Sequence, residues 1–160
     1  ILMKGFSKTF AMTGWRLGYA LGPENLINPM LRYHQYMITS TNTFAQWGAV
    51  KALTGEQDPS LAMLDEFQKR RDFIYQAACT WPGFSCHQPS GAFFLFPSIE
   101  ETGLNGYQMA RLLLEKAGVA TVAGECFGRT GAGHIRISYA SSMDNLKKAA
   151  EKIGDVVRGL

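Results

Sequence analysis

Charge is scarce in this 160-residue chain: Asp, Glu, Lys and Arg make up 18% of it, against about 25% in an ordinary soluble domain. That leaves apolar surface for a partner or for further chain. The 16 basic and 13 acidic residues give a net charge of only +3, and the basic ones are scattered. The single cluster, Lys69-Arg70-Arg71, lies beside Asp65, Glu66 and Asp72 and reads as a solvated helix face, so no nucleic-acid partner is expected. Cysteine is limited to Cys79, Cys86 and Cys126, an odd number with no CxxC and no zinc-like spacing to His34, His87 or His134. Free thiols in a reducing, cytoplasmic setting and no metal site are the expectation. Long apolar runs are missing. Polar residues interrupt every candidate before the roughly 18 apolar residues of a spanning helix, and no membrane partner is expected. Repeats and low-complexity segments are absent as well. So is an initiator Met: the chain opens Ile1-Leu2-Met3-Lys4-Gly5-Phe6, which reads as the interior of a strand and as a cut from a longer protein.

What is present is an ordinary globular composition, 46% hydrophobic with 12% aromatic residues, in a chain long enough to bury a real core. Residues 1–6 read as a buried strand and 17–21 as a second, ended by Gly22-Pro23. Pro23 suits a first helical turn, and Leu26, Ile27, Met30, Leu31 and Tyr33 follow at helical spacing to about residue 38. A polar loop over 39–43 and a short helix over 44–53, closed by Gly55, come next. A longer amphipathic helix is expected over about 59–80, with Leu61, Leu64, Phe67, Ile74 and Ala78 on one face, stopped by Trp81-Pro82-Gly83. Then come a strand at 93–96, a helix at 105–117 ended by Gly118, strands at 119–122 and 135–139, and a final helix from 143 to about 158. Its buried face carries Leu146, Ala150, Ile153 and Val157. Such alternation means α/β or α+β, with a boundary near residues 55–60.

Chemistry concentrates in Gly5-Phe6-Ser7-Lys8-Thr9-Phe10-Ala11-Met12-Thr13-Gly14-Trp15-Arg16-Leu17-Gly18. A lysine follows a strand in a small-residue turn, and an arginine precedes the next strand. Lysine forms Schiff bases when its amine is deprotonated, and arginine offers a rigid fork of donors to a phosphate. A cofactor with an aldehyde and a phosphate, such as pyridoxal phosphate, would use this pair. A bare pair at this spacing is far more often a surface lysine and a structural ion-pair arginine. The full segment, however, resembles the lysine-attachment signature of class I/II pyridoxal-phosphate-dependent aminotransferases, the aspartate aminotransferase-like group of fold type I. The resemblance implies that Lys8 carries the cofactor as a Schiff base and that Arg16 binds its phosphate. Gly5 stands where the commonest form of the signature has a phosphate-binding serine, which removes one hydroxyl contact.

Three more segments match in order. Pro89-Ser90-Gly91-Ala92-Phe93-Phe94 resembles the family's Pro-x-Gly-Ala-Phe-aromatic strand. Gly124-Glu125-Cys126-Phe127-Gly128 resembles its Gly-x-x-Phe-Gly turn, with Phe127 as a packing wall. Gly133-His134-Ile135-Arg136-Ile137-Ser138-Tyr139-Ala140 resembles the strand whose arginine holds the substrate α-carboxylate. The residues agree with that role for Arg136: Ile135 and Ile137 alternate to the other face, and a lone arginine among apolar neighbours needs an anion. A structural Asp or Glu would serve equally well on that reasoning alone. Cys126 has no identifiable base and is not read as a nucleophile. The stretch 41–46 resembles a segment near the family's dimer interface.

The resemblance therefore implies the C-terminal part of a fold type I transferase. Residues 1–57 would end the large cofactor domain and 58–160 would form the small C-terminal α+β domain. The reaction implied is amino-group transfer from an amino acid to a 2-oxo acid, in a protein that is a homodimer at full length. The family's pyridine-nitrogen Asp, ring-oxygen Asn and Tyr, stacking aromatic and phosphate loop all fall upstream of Lys8. The isolated 160 residues are accordingly expected to be inactive. A same-fold lyase, decarboxylase or regulator domain, or a non-catalytic dimerisation module, remain the alternative readings.

Overall fold

A computed structural model describes all 160 residues. The chain divides into two compact units, Ile1–Met63 and Leu64–Leu160.

In the first unit, β1 (Leu2–Gly5) pairs antiparallel with β2 (Gly18–Leu21), in the register Leu2↔Leu21 through Gly5↔Gly18. The strand at the start of the chain forms as expected, but it is not buried: every residue of β1 is exposed, because a two-stranded ribbon has no further layers over it. Between the strands lie a short helix α1 (Phe6–Thr9) and the 3-10 turn Thr13–Trp15. Helix α2 (Glu24–Ile38) starts after Pro23, and α3 (Thr43–Thr54) starts at Asn42, whose side chain accepts from the Ala45 amide at 3.2 Å. None of α2 is buried; Tyr33, Tyr36 and Met37 stand fully out. The unit's core is small, built from Phe6, Met12 and Ala49 with Phe10, Leu17 and Ala52 packed on it.

The second unit holds a three-stranded antiparallel sheet in the order β3 (Phe94–Leu95), β5 (Ile135–Ser138), β4 (Val122–Ala123). The later half of α4 (Asp58–Ala78), α5 (Gly106–Leu112) and α6 (Met143–Arg158) supply the helices. Alternation along β5 sends Ile135 and Ile137 into a core shared with Ile74, Leu95, Met109 and Ile153, all but Ile137 wholly buried. On α6 the expected residues Leu146, Ala150, Ile153 and Val157 face that core, after an N-cap in which Ser142 accepts from the Asn145 amide. Helix α5 opens with a reciprocal cap: Asn105 accepts from the Gln108 amide, and its own amide donates to the Gln108 side chain, both at 2.9 Å. No helix of the chain is long and apolar enough to cross a membrane.

Several expectations need correction. The helix after Asn105 does not stay α-helical to its end: Leu113–Ala117 form a π-helical turn, closed by Gly118 in the left-handed region at φ 65°. Residues 119–121 are not strand. The Val119 amide is spent on the Leu113 carbonyl at 3.1 Å, so pairing starts only at Val122. On α4, Leu61 and Leu64 are exposed at 55% and 59%, because the core reaches only the helix's later turns, at Ile74 and Ala78. The basic run on α4 is also more than a solvated face. Arg71 pairs with Asp72 at 2.7 Å and donates to the Pro89 carbonyl, and Gln88 donates to Asp72 at 2.8 Å. These bonds fasten the 88–89 segment to the helix.

Truncating Ile153 tests this core. Ile153→Ala should cost about 2–5 kcal/mol of unfolding free energy, read as a lower denaturant midpoint with an unchanged slope.

Candidate functional site

The first group of candidate residues sits in the connection between β1 and β2. Its ends are brought together by the Gly5↔Gly18 pairing and by the Phe6 amide, which donates to the Leu17 carbonyl at 3.2 Å. Phe6 is buried as the anchor of this connection, and Lys8 projects from the exposed side of the turn two residues on. Arg16 closes the 3-10 turn in the left-handed conformation, φ 53° and ψ 48°, and Ala11 in the same connection is also left-handed at φ 53°. For a side-chain-bearing residue that conformation costs about 1–2 kcal/mol, and such strain clusters where a ligand is held.

Packing from α3 over-determines this turn. Gly48 lies flat against Trp15: a Cβ there would come within 2.6 Å of the indole ring. Phe44 meets the same indole edge-on, with ring centroids 6.1 Å apart. Trp15 is thereby held, and Arg16 follows it.

The Arg16 guanidinium donates to the Thr13 carbonyl at 3.1 Å and has no carboxylate within 4 Å. Most of its five donors are unspent. It lines a cleft of about 690 Å³ together with Gly14, Gly18, Ser40, Thr41 and Asn42. An unspent guanidinium, small residues and hydroxyls are a donor set that fits a phosphate ester.

The second unit carries Arg136, midway along the central strand β5 and opposite Val122 of β4. It is half-buried, and no Asp or Glu lies within 4 Å, so the structural ion pair left open by the sequence is not made. Its guanidinium carbon lies over two aromatic rings instead, 4.4 Å from the Phe94 centroid and 4.7 Å from that of Phe127. Phe127, expected as a packing wall, packs on this guanidinium. It is 49% exposed and packs edge-on against Phe96 at 6.0 Å. Phe94 lies in the Pro89–Phe94 motif, and the pairing of β3 with β5 is what brings it to Arg136.

The turn that carries Phe127 is pinned by Glu125, whose carboxylate accepts from the Gly106 amide at the start of α5 at 2.9 Å. Its own backbone N–H, that of Gly106 and the nearby His134 hold the Glu125 carboxyl below the usual carboxylate range. His134 stacks on Phe96, with centroids 5.1 Å apart. The cysteines are all free. Burial pushes the Cys86 thiol up to about 11, and Cys126 donates to the Tyr107 hydroxyl at 3.7 Å. Neither arrangement activates a nucleophile.

Residues 1–153 match the family model described as "Aminotransferase class I and II". The aspartate aminotransferase of Pyrococcus horikoshii is 39% identical over 99% of this chain and 41% of its own length. The aromatic-amino-acid aminotransferase 2 of Thermococcus litoralis is 39% identical over 99% of this chain and 41% of its own. Among solved structures, the aromatic aminotransferase from Pyrococcus horikoshii superposes with a TM-score of 0.92 at 39% identity, covering 98% of this chain and 42% of that one. The chain spans about two-fifths of the length of these relatives.

Because its folded pKa is lowered, Glu125 stabilises the protein above its unfolded value of 4.5, and that contribution is lost as pH falls through the folded value. Glu125→Gln should therefore be less stable than the parent at pH 7, with the gap closing as pH drops below 4.5, in melts taken across pH.

Proposed function

Because this chain belongs to the class I and II aminotransferase family and has the fold of the C-terminal part of a fold type I enzyme, we propose that it serves pyridoxal-phosphate-dependent transfer of an amino group from an amino acid to a 2-oxo acid. The observation that carries this reading is the β1–β2 connection, which holds a lysine and a carboxylate-free arginine between paired strands. In this reading residues 1–57 end the large cofactor domain and 58–160 form the small domain.

Lys8 would take the cofactor aldehyde, and Arg16 its phosphate. When bound, pyridoxal phosphate supplies a ring that draws electrons from the substrate Cα. Lys8, with its amine free, would accept the Cα proton as a general base and deliver it as a general acid to the cofactor's C4′ carbon. Arg136 meets the substrate α-carboxylate with paired N–H donors, which fixes the orientation of the carbon that loses the proton. Nothing in Arg136's surroundings competes for those donors, since its near neighbours are rings.

The exposed apolar residues of α2 and α3, Tyr36, Met37 and Trp47 among them, would be covered by further chain and by the second subunit of a cytoplasmic homodimer. The 160 residues alone would not transaminate, because the resemblance puts the group that supports the pyridine nitrogen upstream of Lys8. Aspartate and aromatic amino acids are the first donors to assay.

In the complete protein, Lys8→Ala should lower turnover of L-aspartate or L-phenylalanine with 2-oxoglutarate by more than about 100-fold. A fall of less than about tenfold would remove Lys8 from the proton-transfer role.

A further inference from the structure

The aromatic surroundings of Arg136 carry an inference that rests on its role as the carboxylate anchor. Phe94 pairs with Ser138 across β3 and β5, which makes it the diagonal same-face neighbour of Arg136. Phe127 reaches the same guanidinium from the 3-10 turn Gly124–Phe127, just after β4 on the opposite side of β5. The guanidinium carbon lies over both rings, at 4.4 and 4.7 Å. The two rings make no ring contact with each other, although each contacts another aromatic, Phe94 with Phe93 and Phe127 with Phe96. Each ring thus meets the cation separately, one from β3 and the other from the turn after β4, on either side of β5.

We propose that Phe94 and Phe127 are positioning residues for Arg136, a two-ring clamp that holds the guanidinium before substrate arrives and leaves its N–H donors to a flat carboxylate. The donors of a guanidinium lie in its plane. Ring faces attract the charge without engaging those donors. A free arginine would surrender rotamer freedom on binding; a clamped one has already surrendered it, so the carboxylate binds more tightly. The turn that delivers Phe127 is set by the bond from Gly106 to Glu125, and its ring is steadied by Phe96, itself stacked on His134.

The test uses the complete, cofactor-loaded protein and two amine-free carboxylates, succinate and 3-phenylpropionate, as competitors of the amino acid. Phe127→Leu should weaken both about tenfold, and Phe94→Leu similarly. Phe127→Tyr, which keeps a ring over the guanidinium, should stay within about twofold of the parent. Because Phe127 is 49% exposed, its replacement by Leu opens no cavity in the core. The clamp is overturned if both Leu variants bind within about twofold of the parent while Arg136→Lys binds more than about tenfold worse, and the carboxylate anchor then stands. Weakening that Tyr fails to prevent also overturns it, since a ring is then not what matters. Unchanged binding by Arg136→Lys would instead remove the anchor, and the clamp with it.

Discussion

A half-buried guanidinium with no carboxylate in reach is the constraint around which the second unit is arranged. Removing a cation from water is costly unless something answers its charge. Around Arg136 the answer is two ring faces, which attract the cation but leave its hydrogen-bond donors unspent. In the proposed role, a substrate carboxylate would take up those donors. The sheet order places this residue on the central strand, where Phe94 arrives from one neighbour and the turn after the other neighbour delivers Phe127. The apolar core beneath, with Ile135 and Ile137 on the reverse face of the same strand, is what keeps β5 from shifting register.

Arg16 presents a milder form of the same condition. It is exposed, so water can answer its charge, but its backbone is held in a left-handed conformation that arginine seldom takes. What holds it there is packing: Trp15 pressed on Gly48 and met by Phe44, and Phe6 buried at the other end of the connection. Local strain is thus balanced by the small core of the first unit, and the result is an arginine at a cleft whose lining includes Ser40, Thr41 and Asn42 beside Trp15, His34, Ile38 and Phe44, and does not include Lys8. Each unit in this way spends its packing on fixing one arginine.

The candidate site was legible to different depths at different residues. Lys8, Arg16 and Arg136 stand in contiguous motifs, and it is the resemblance of those motifs to the family's, beyond residue type and spacing, that makes them candidates. The helices were equally plain, because caps such as Asn42, Asn105 and Ser142 and stops such as Gly55 and Gly118 are local signals. What no local signal carries is pairing. That β5 lies between β3 and β4, and that Phe94 is thereby diagonal to Arg136, depends on contacts between distant parts of the chain. Glu125 was hidden for the same reason, since its partner Gly106 is nineteen residues away. Periodicity misled at Leu61 and Leu64 because a helical stripe says which residues share a face, and not how far along the helix a core extends.

The proposed function depends on Lys8 taking the cofactor. Pyridoxal phosphate added to the complete protein, reduced with borohydride and followed by peptide mapping, tests this most directly. The account predicts a pyridoxyl group on Lys8 and loss of that label in Lys8→Ala. A label on another lysine, with Lys8 unmodified, would contradict it.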